Sequence, residues 1–224
     1  MTSPNPTSPA DYTLDEMRLA LAPLIAAEAA FDGWSMAAVD NAAARIGVPP
    51  ASARLAFDGG AMAMIAAWTH SIDQAMAAAL PPERIGNLPI RERIRTLVQF
   101  RLDAVAGNKE ALLRALAIMA MPQNLAAAAR LGWHSADAMW RLAGDTAADY
   151  NHYTKRLTLG ALYASTLAVF AHDHSEDHAE SRAFLNRRIE GVMRFEKAKA
   201  RLMKPRDEHF SPARLLGRLR YPAR

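Results

Sequence analysis

Hydrophobic positions along the chain recur at helical spacing almost throughout. Thr13-Leu14-Asp15-Glu16 is a capping box opening a helix through Leu19, Leu24, Ile25 and Phe31, which Asp32-Gly33 stops. Ser35 can cap a second helix carrying Val39, Ala42, Ala43 and Ile46, ended by Gly47. A short third helix covers Ala51 to Phe57, and a longer fourth runs from Ala61 to about Leu80 before Pro81-Pro82. Pro89 opens the next, with Ile90, Ile94, Leu97, Val98 and Leu102 in register, and Lys109 to Met121 forms another with Leu112, Leu116 and Met119 facing inward. Asn124 caps a helix expected to end near Gly132, and Ser135 starts a separate one reaching Leu142. A long helix from Asp145 or Thr146 to Ala171, the loop HDHSEDH, and a final helix from Glu180 to Met203 complete the pattern. No period-two strand pattern and no internal repeat is found, so the class is all-α, a helical bundle.

Composition agrees: half the residues are hydrophobic with Ala dominant, while aromatic and β-branched residues are few. Without cysteine there is no disulfide framework and no thiolate metal site. No Arg or Lys precedes Arg18, which argues against a secretory leader or an Arg-rich transit peptide, and no apolar run is long enough to cross a bilayer. These features suggest a bacterial cytoplasmic protein. Charge is unevenly placed: Arg201–Arg224 holds seven Lys/Arg against Asp207 and Glu208, leaving the remainder close to neutral. A basic end of this kind suits an anionic surface, lipid or nucleic acid, or is simply a solvated terminus.

The first 70 residues resemble the amino-terminal domain of TetR-type regulators, with Phe31-Asp32-Gly33-Trp34 closing the first helix, Val39–Val48 as second helix and turn, and Ala51–Phe57 where a recognition helix lies. For DNA this third helix offers only Ser52 and Arg54, with Arg45 nearby, too few cations for strong counterion release. The head reads as a retained scaffold, with DNA-binding regulation as the alternative function.

Three elements carry a second resemblance: Met121-Pro122-Gln123-Asn124, Met139-Trp140-Arg141-Leu142-Ala143-Gly144-Asp145 and Asp149-Tyr150-Asn151-His152-Tyr153-Thr154-Lys155-Arg156, followed by Phe184-Leu185-Asn186-Arg187-Arg188. Over roughly 80 residues from Ala115 the chain resembles the ninth COQ protein family, non-catalytic lipid-binding accessory proteins of ubiquinone biosynthesis with a TetR-like fold. The implied layout is a disordered stretch over 1–12, a degenerate helix-turn-helix domain over 13–80, a helical lipid-binding domain over 81–203 and a basic tail over 204–224.

The residues alone show a stripe of Tyr150, Tyr153, Leu157, Ala161 and Ala164 whose small members leave room for a neighbouring helix or a ligand. The resemblance implies an isoprenoid quinone lipid in an apolar cavity lined by Leu116, Met119, Trp140, Leu157, Ala161 and Ala164, with no other cofactor. It also implies docking of the demethoxyubiquinone hydroxylase, or another hydroxylase of the pathway, through Asp137, Met139, Asp149, His152, Tyr153 and Arg156, and a homodimer. His152 stands where that family often has Trp, which puts the hydroxylase's identity in question. Arg214, Leu215, Leu216, Arg218, Leu219 and Arg220 would touch the inner-membrane surface peripherally. His172, His174 and His178 with neighbouring acids read as a charged loop rather than a metal site, and no hydrolase, P-loop or dinucleotide motif is present, so no catalytic residue is assigned.

Overall fold

The computed structural model describes residues 12–145 and 150–203. The described residues form ten α-helices in order: α1 Leu14–Asp32, α2 Met36–Ile46, α3 Pro50–Ala56, α4 Gly60–Ala79, α5 Pro82–Ile85, α6 Ile90–Val105, α7 Lys109–Met119, α8 Leu125–Leu142, α9 Tyr150–Ala171 and α10 Ala179–Met203. No strand occurs among the described residues. Residues to Ile189 form one compact unit and those from Glu190 a second, whose described part is the end of α10.

Local chemistry fixes most boundaries. The capping box at Thr13 is formed, with the Thr13 side chain accepting from the Glu16 N–H and the Glu16 carboxylate accepting from the Thr13 N–H. Ser35 caps α2, and Gly47 at φ 72° ends it in the left-handed region with its N–H on the Ala43 carbonyl.

Two boundaries differ from the sequence expectation. Residues 125–142 form one continuous helix: Gly132 costs about 1 kcal/mol relative to Ala inside a helix, which the alanines before it and the packing after it offset. Asn124 gives α8 no side-chain cap and instead donates back to the Ile118 carbonyl (2.8 Å), holding the turn out of α7. The 1–11 and 204–224 segments lie outside the described residues.

The head core is built on α1, whose Leu21 and Ile25 are fully buried with Met64 and Ile65 of α4 and Phe57 after α3. Trp34 stacks at a tilt on Trp68 (5.4 Å) and donates its indole N–H to the Ala111 carbonyl of α7 (3.0 Å), tying head to body. The body core takes Leu97 and Leu102 of α6, Met139 of α8, and Leu159 and Phe170 of α9. Where α4, α6, α8 and α9 meet lies Arg101, 1% exposed, paired with Asp73, donating to Ser135 (3.0 Å) and resting over the Tyr163 ring.

Candidate functional site

The end of α8 shows why its sequence is so particular. Gly144 adopts φ 86°, and its N–H bonds the Arg141 carbonyl while the Asp145 N–H bonds that of Trp140. This is a Schellman turn, which needs a residue tolerant of positive φ one position past the helix. Arg93 of α6 donates to the Ala143 carbonyl (2.7 Å) and holds the turn from outside. The turn aims Asp145 back at α9.

Asp145 there accepts from Lys155 (2.6 Å) and Arg156 (3.2 Å). Arg156, its side chain 3% exposed, also donates to Asp137 of α8 (2.6 Å) and to the His152 carbonyl (3.1 Å), while Arg141 takes the other Asp137 oxygen (2.8 Å). Burial pushes the Asp137 carboxyl up, but Arg156 and Arg141 outweigh it and hold it below the usual range. Trp140 donates its indole N–H to the Lys155 carbonyl (2.9 Å), and the Lys155 ammonium lies 5.5 Å from its ring. The two motifs are therefore halves of one clasp that crosses α8 on α9.

Beside the clasp lies an open aromatic cluster. Trp133 meets His152 (6.3 Å) and Tyr153 (6.0 Å), which meet each other edge-on (5.2 Å). Tyr153 is 58% and Leu157 63% exposed, and Ala161 and Ala164 continue the same exposed stripe down α9.

The proposed lining is therefore split. Leu116, Met119 and Trp140 are half-buried, whereas Leu157, Ala161 and Ala164 are exposed among the described residues. The inward face of α9 is Leu159, Leu162, Tyr163, Thr166 and Phe170 instead. The small-residue stripe lies on the outward side of α9: larger residues fill the interior, and the buried Thr166 hydroxyl is satisfied by donating to the Leu162 carbonyl (2.8 Å).

The expected docking patch divides in the same way. Met139 is fully buried and Arg156 nearly so, and Asp137 is engaged by two arginines, so these three hold helices together. His152 and Tyr153 do reach the surface, joined by Trp133, which the sequence reading missed. Asp149 and the tail residues expected at a membrane, Arg214, Leu215, Leu216, Arg218, Leu219 and Arg220, lie outside the described residues.

In the histidine-rich loop, Asp173 is the organiser. Its carboxylate accepts the backbone N–H and hydroxyl of both Ser175 and Ser181 at 2.5–2.9 Å, seating the start of α10. Burial raises its pKa, but these four donors outweigh it and hold it far below the carboxylate range. Among the described residues no group of three His, Asp or Glu side chains converges as metal ligands. On the head, Arg54 forks onto Asp40 (2.8 and 2.5 Å) and Arg45 meets Glu28 (3.2 Å), so both cations of the would-be recognition surface are already paired.

Residues 125–196 match the COQ9 family model, a span that contains the whole α8–α9 clasp. Over 168 residues the chain is 29% identical to the rat protein named ubiquinone biosynthesis protein COQ9, mitochondrial, covering 72% of this chain and 54% of that one. The human protein of the same name gives 29% identity over 72% and 52%. A probable ubiquinone biosynthesis protein coq9 from Dictyostelium discoideum gives 23% over 72% and 55%. The chain thus spans about half the length of these relatives. Among solved structures, a TetR transcriptional regulator from Nitrosomonas europaea superposes with a TM-score of 0.63 at 22% identity, covering 79% of this chain and 98% of that one, so the fold is TetR-like.

Proposed function

We propose that this chain, which carries a COQ9 domain on a TetR-like fold, is a non-catalytic accessory protein of ubiquinone biosynthesis that holds an isoprenoid quinone precursor and presents it to a membrane-associated hydroxylase. The match over residues 125–196 carries this reading. The geometry supports it: the clasp fixes α8 against α9 and leaves Tyr153, Leu157, Ala161 and Ala164 as an exposed apolar track. An isoprenoid laid along that track under a covering element removes methylenes from water at about 0.8 kcal/mol each. In this reading the lipid lies on the outward face of α9, with Leu116, Met119 and Trp140 behind it, and a second copy of the chain is the expected cover. Trp133, His152 and Tyr153 form the surface offered to the hydroxylase, since aromatic anchors dominate such contacts.

Organic extraction of the purified chain followed by mass spectrometry tests the reading. An isoprenoid or quinone should co-purify, and Leu157→Glu should lose most of it while remaining folded. Recovery of no such lipid from the unsubstituted chain would overturn it. The regulator alternative is disfavoured by the Arg54–Asp40 and Arg45–Glu28 pairs. A DNA-shift series in salt is expected to show no complex surviving moderate ionic strength.

A further inference from the structure

The corner between α7 and α8 is built unlike the rest of the surface. Met121 is 43% and Leu125 54% exposed, and Ala120, Pro122, Ala126 and Ala129 around them are exposed too. From residue 111 to 136 there is no carboxylate; Arg114 pairs with Glu110 just before that stretch (3.0 Å), and Arg130 supplies positive charge beside the corner. No single described helix is long and apolar enough to cross a membrane. The run Ile90–Met119 with Pro122–Leu142 meets that test only as a pair, and it bends by 89°.

We propose that this corner is a lipid-docking element, dipping Met121 and Leu125 into the headgroup boundary of an anionic membrane with Arg130 at phosphate level. The inference rests on the reading that the protein works at a membrane surface, and adds a contact separate from the basic tail. Lipid fits better than a protein partner on chemical grounds. Protein interfaces anchor on Trp, Tyr and Arg in shaped pockets with a ring of hydrogen bonds. The corner presents small and flexible apolar groups with little directional chemistry, which suits fluid acyl chains. Asn124 turns inward, its side chain donating to the Ile118 carbonyl and its backbone N–H to that of Met121 (2.8 Å), and the exposed Gln123 amide is engaged locally by the Met121 sulfur (3.5 Å).

Because the chain has no cysteine, Leu125→Cys in the full chain can carry a single environment-sensitive fluorophore, with Asn41→Cys on α2 as reference. With vesicles of phosphatidylcholine and phosphatidylglycerol, the label at 125 should shift to the blue and be quenched by nitroxide lipids, while the label at 41 does neither. The Met121→Glu/Leu125→Glu double variant, altered only at exposed positions, should float with these vesicles about tenfold less at unchanged helicity. If the chain floats but the label at 125 stays open to aqueous iodide, the corner proposal fails while the membrane reading stands. A label shielded from iodide without vesicles would give the corner to a protein partner and also overturn it. No flotation of the unsubstituted chain would defeat both.

Discussion

Two arginines are buried among the described residues, and they are buried on different terms. Arg156 reaches Asp137, Asp145 and the His152 carbonyl, and Asp137 responds with a carboxyl held below its usual range. Arg101 reaches Asp73, Ser135 and the Tyr163 ring, yet its Nε has no partner. Burial outweighs Arg101 at Asp73 and pushes that carboxyl up. A buried ion pair stabilises only when charge and hydrogen bonds repay desolvation. The clasp at Arg156 meets that condition. At the other junction the partners divide: burial pushes Asp73 up, while at Arg101 burial is outweighed by Tyr163 and Asp73 together, which hold its guanidinium above its ordinary value. The first is therefore a source of stability in the segment matching the COQ9 family, and the second fixes how α4, α6, α8 and α9 meet.

The largest expected effect breaks the first term. Arg156→Ala leaves Asp137 and Asp145 facing each other without their shared cation and should cost about 3–5 kcal/mol, read as a large fall in denaturation midpoint. Replacing both members of the other pair, Arg101→Met with Asp73→Leu, should leave stability unchanged or raise it. Comparable loss in the two variants would erase the distinction.

Acid should sharpen the same contrast. Asp137 and Asp173 have depressed folded pKa values, so the stability they add is present above the unfolded value of about 4 and is lost as pH falls below it. Asp73 is raised, so its contribution runs the other way: its ionised form is penalised in the fold, and protonation relieves that as pH falls. Thermal melts between neutral and acid pH should show Asp137→Asn and Asp173→Asn with flatter acid slopes than the parent, and Asp73→Asn with a steeper one. A common slope for all three would contradict the assignment.

How much of this was readable in the sequence follows from what each feature depends on. Helix starts at Thr13 and Ser35 and the stop at Gly47 were legible because caps are local. The join at Gly132 was not, since only packing decides whether a helix runs through a glycine. Tyr153, Leu157, Ala161 and Ala164 were correctly grouped, because helical period is written in spacing. Which side they face depends on Leu159, Tyr163 and Phe170 finding the core, and that is set by neighbours distant in sequence. Asp137 and Arg156 were singled out by resemblance, but their pairing to each other across two helices was invisible until α8 and α9 were crossed.

The smallest effect belongs to the head, where charges are paired on the surface instead of inside. Arg54 and Asp40 form a fork in open solvent, with Arg54 holding the Asp40 carboxyl below its usual range despite a small opposing effect of burial. Exposed pairs of this kind carry little stability, so Asp40→Ala should leave the melting temperature where it is. What it changes is availability: one cation of the α2–α3 surface is freed to meet a phosphate. Retention on a polyanionic column should rise slightly, and the dependence of any non-specific DNA binding on salt should steepen by about 0.9 in log–log slope per freed contact. No change in either measure would mean that the fork is not what neutralises this face. Any resistance of this face to DNA would then have to come from elsewhere on α3, where the exposed Leu55 offers a base edge no hydrogen bond.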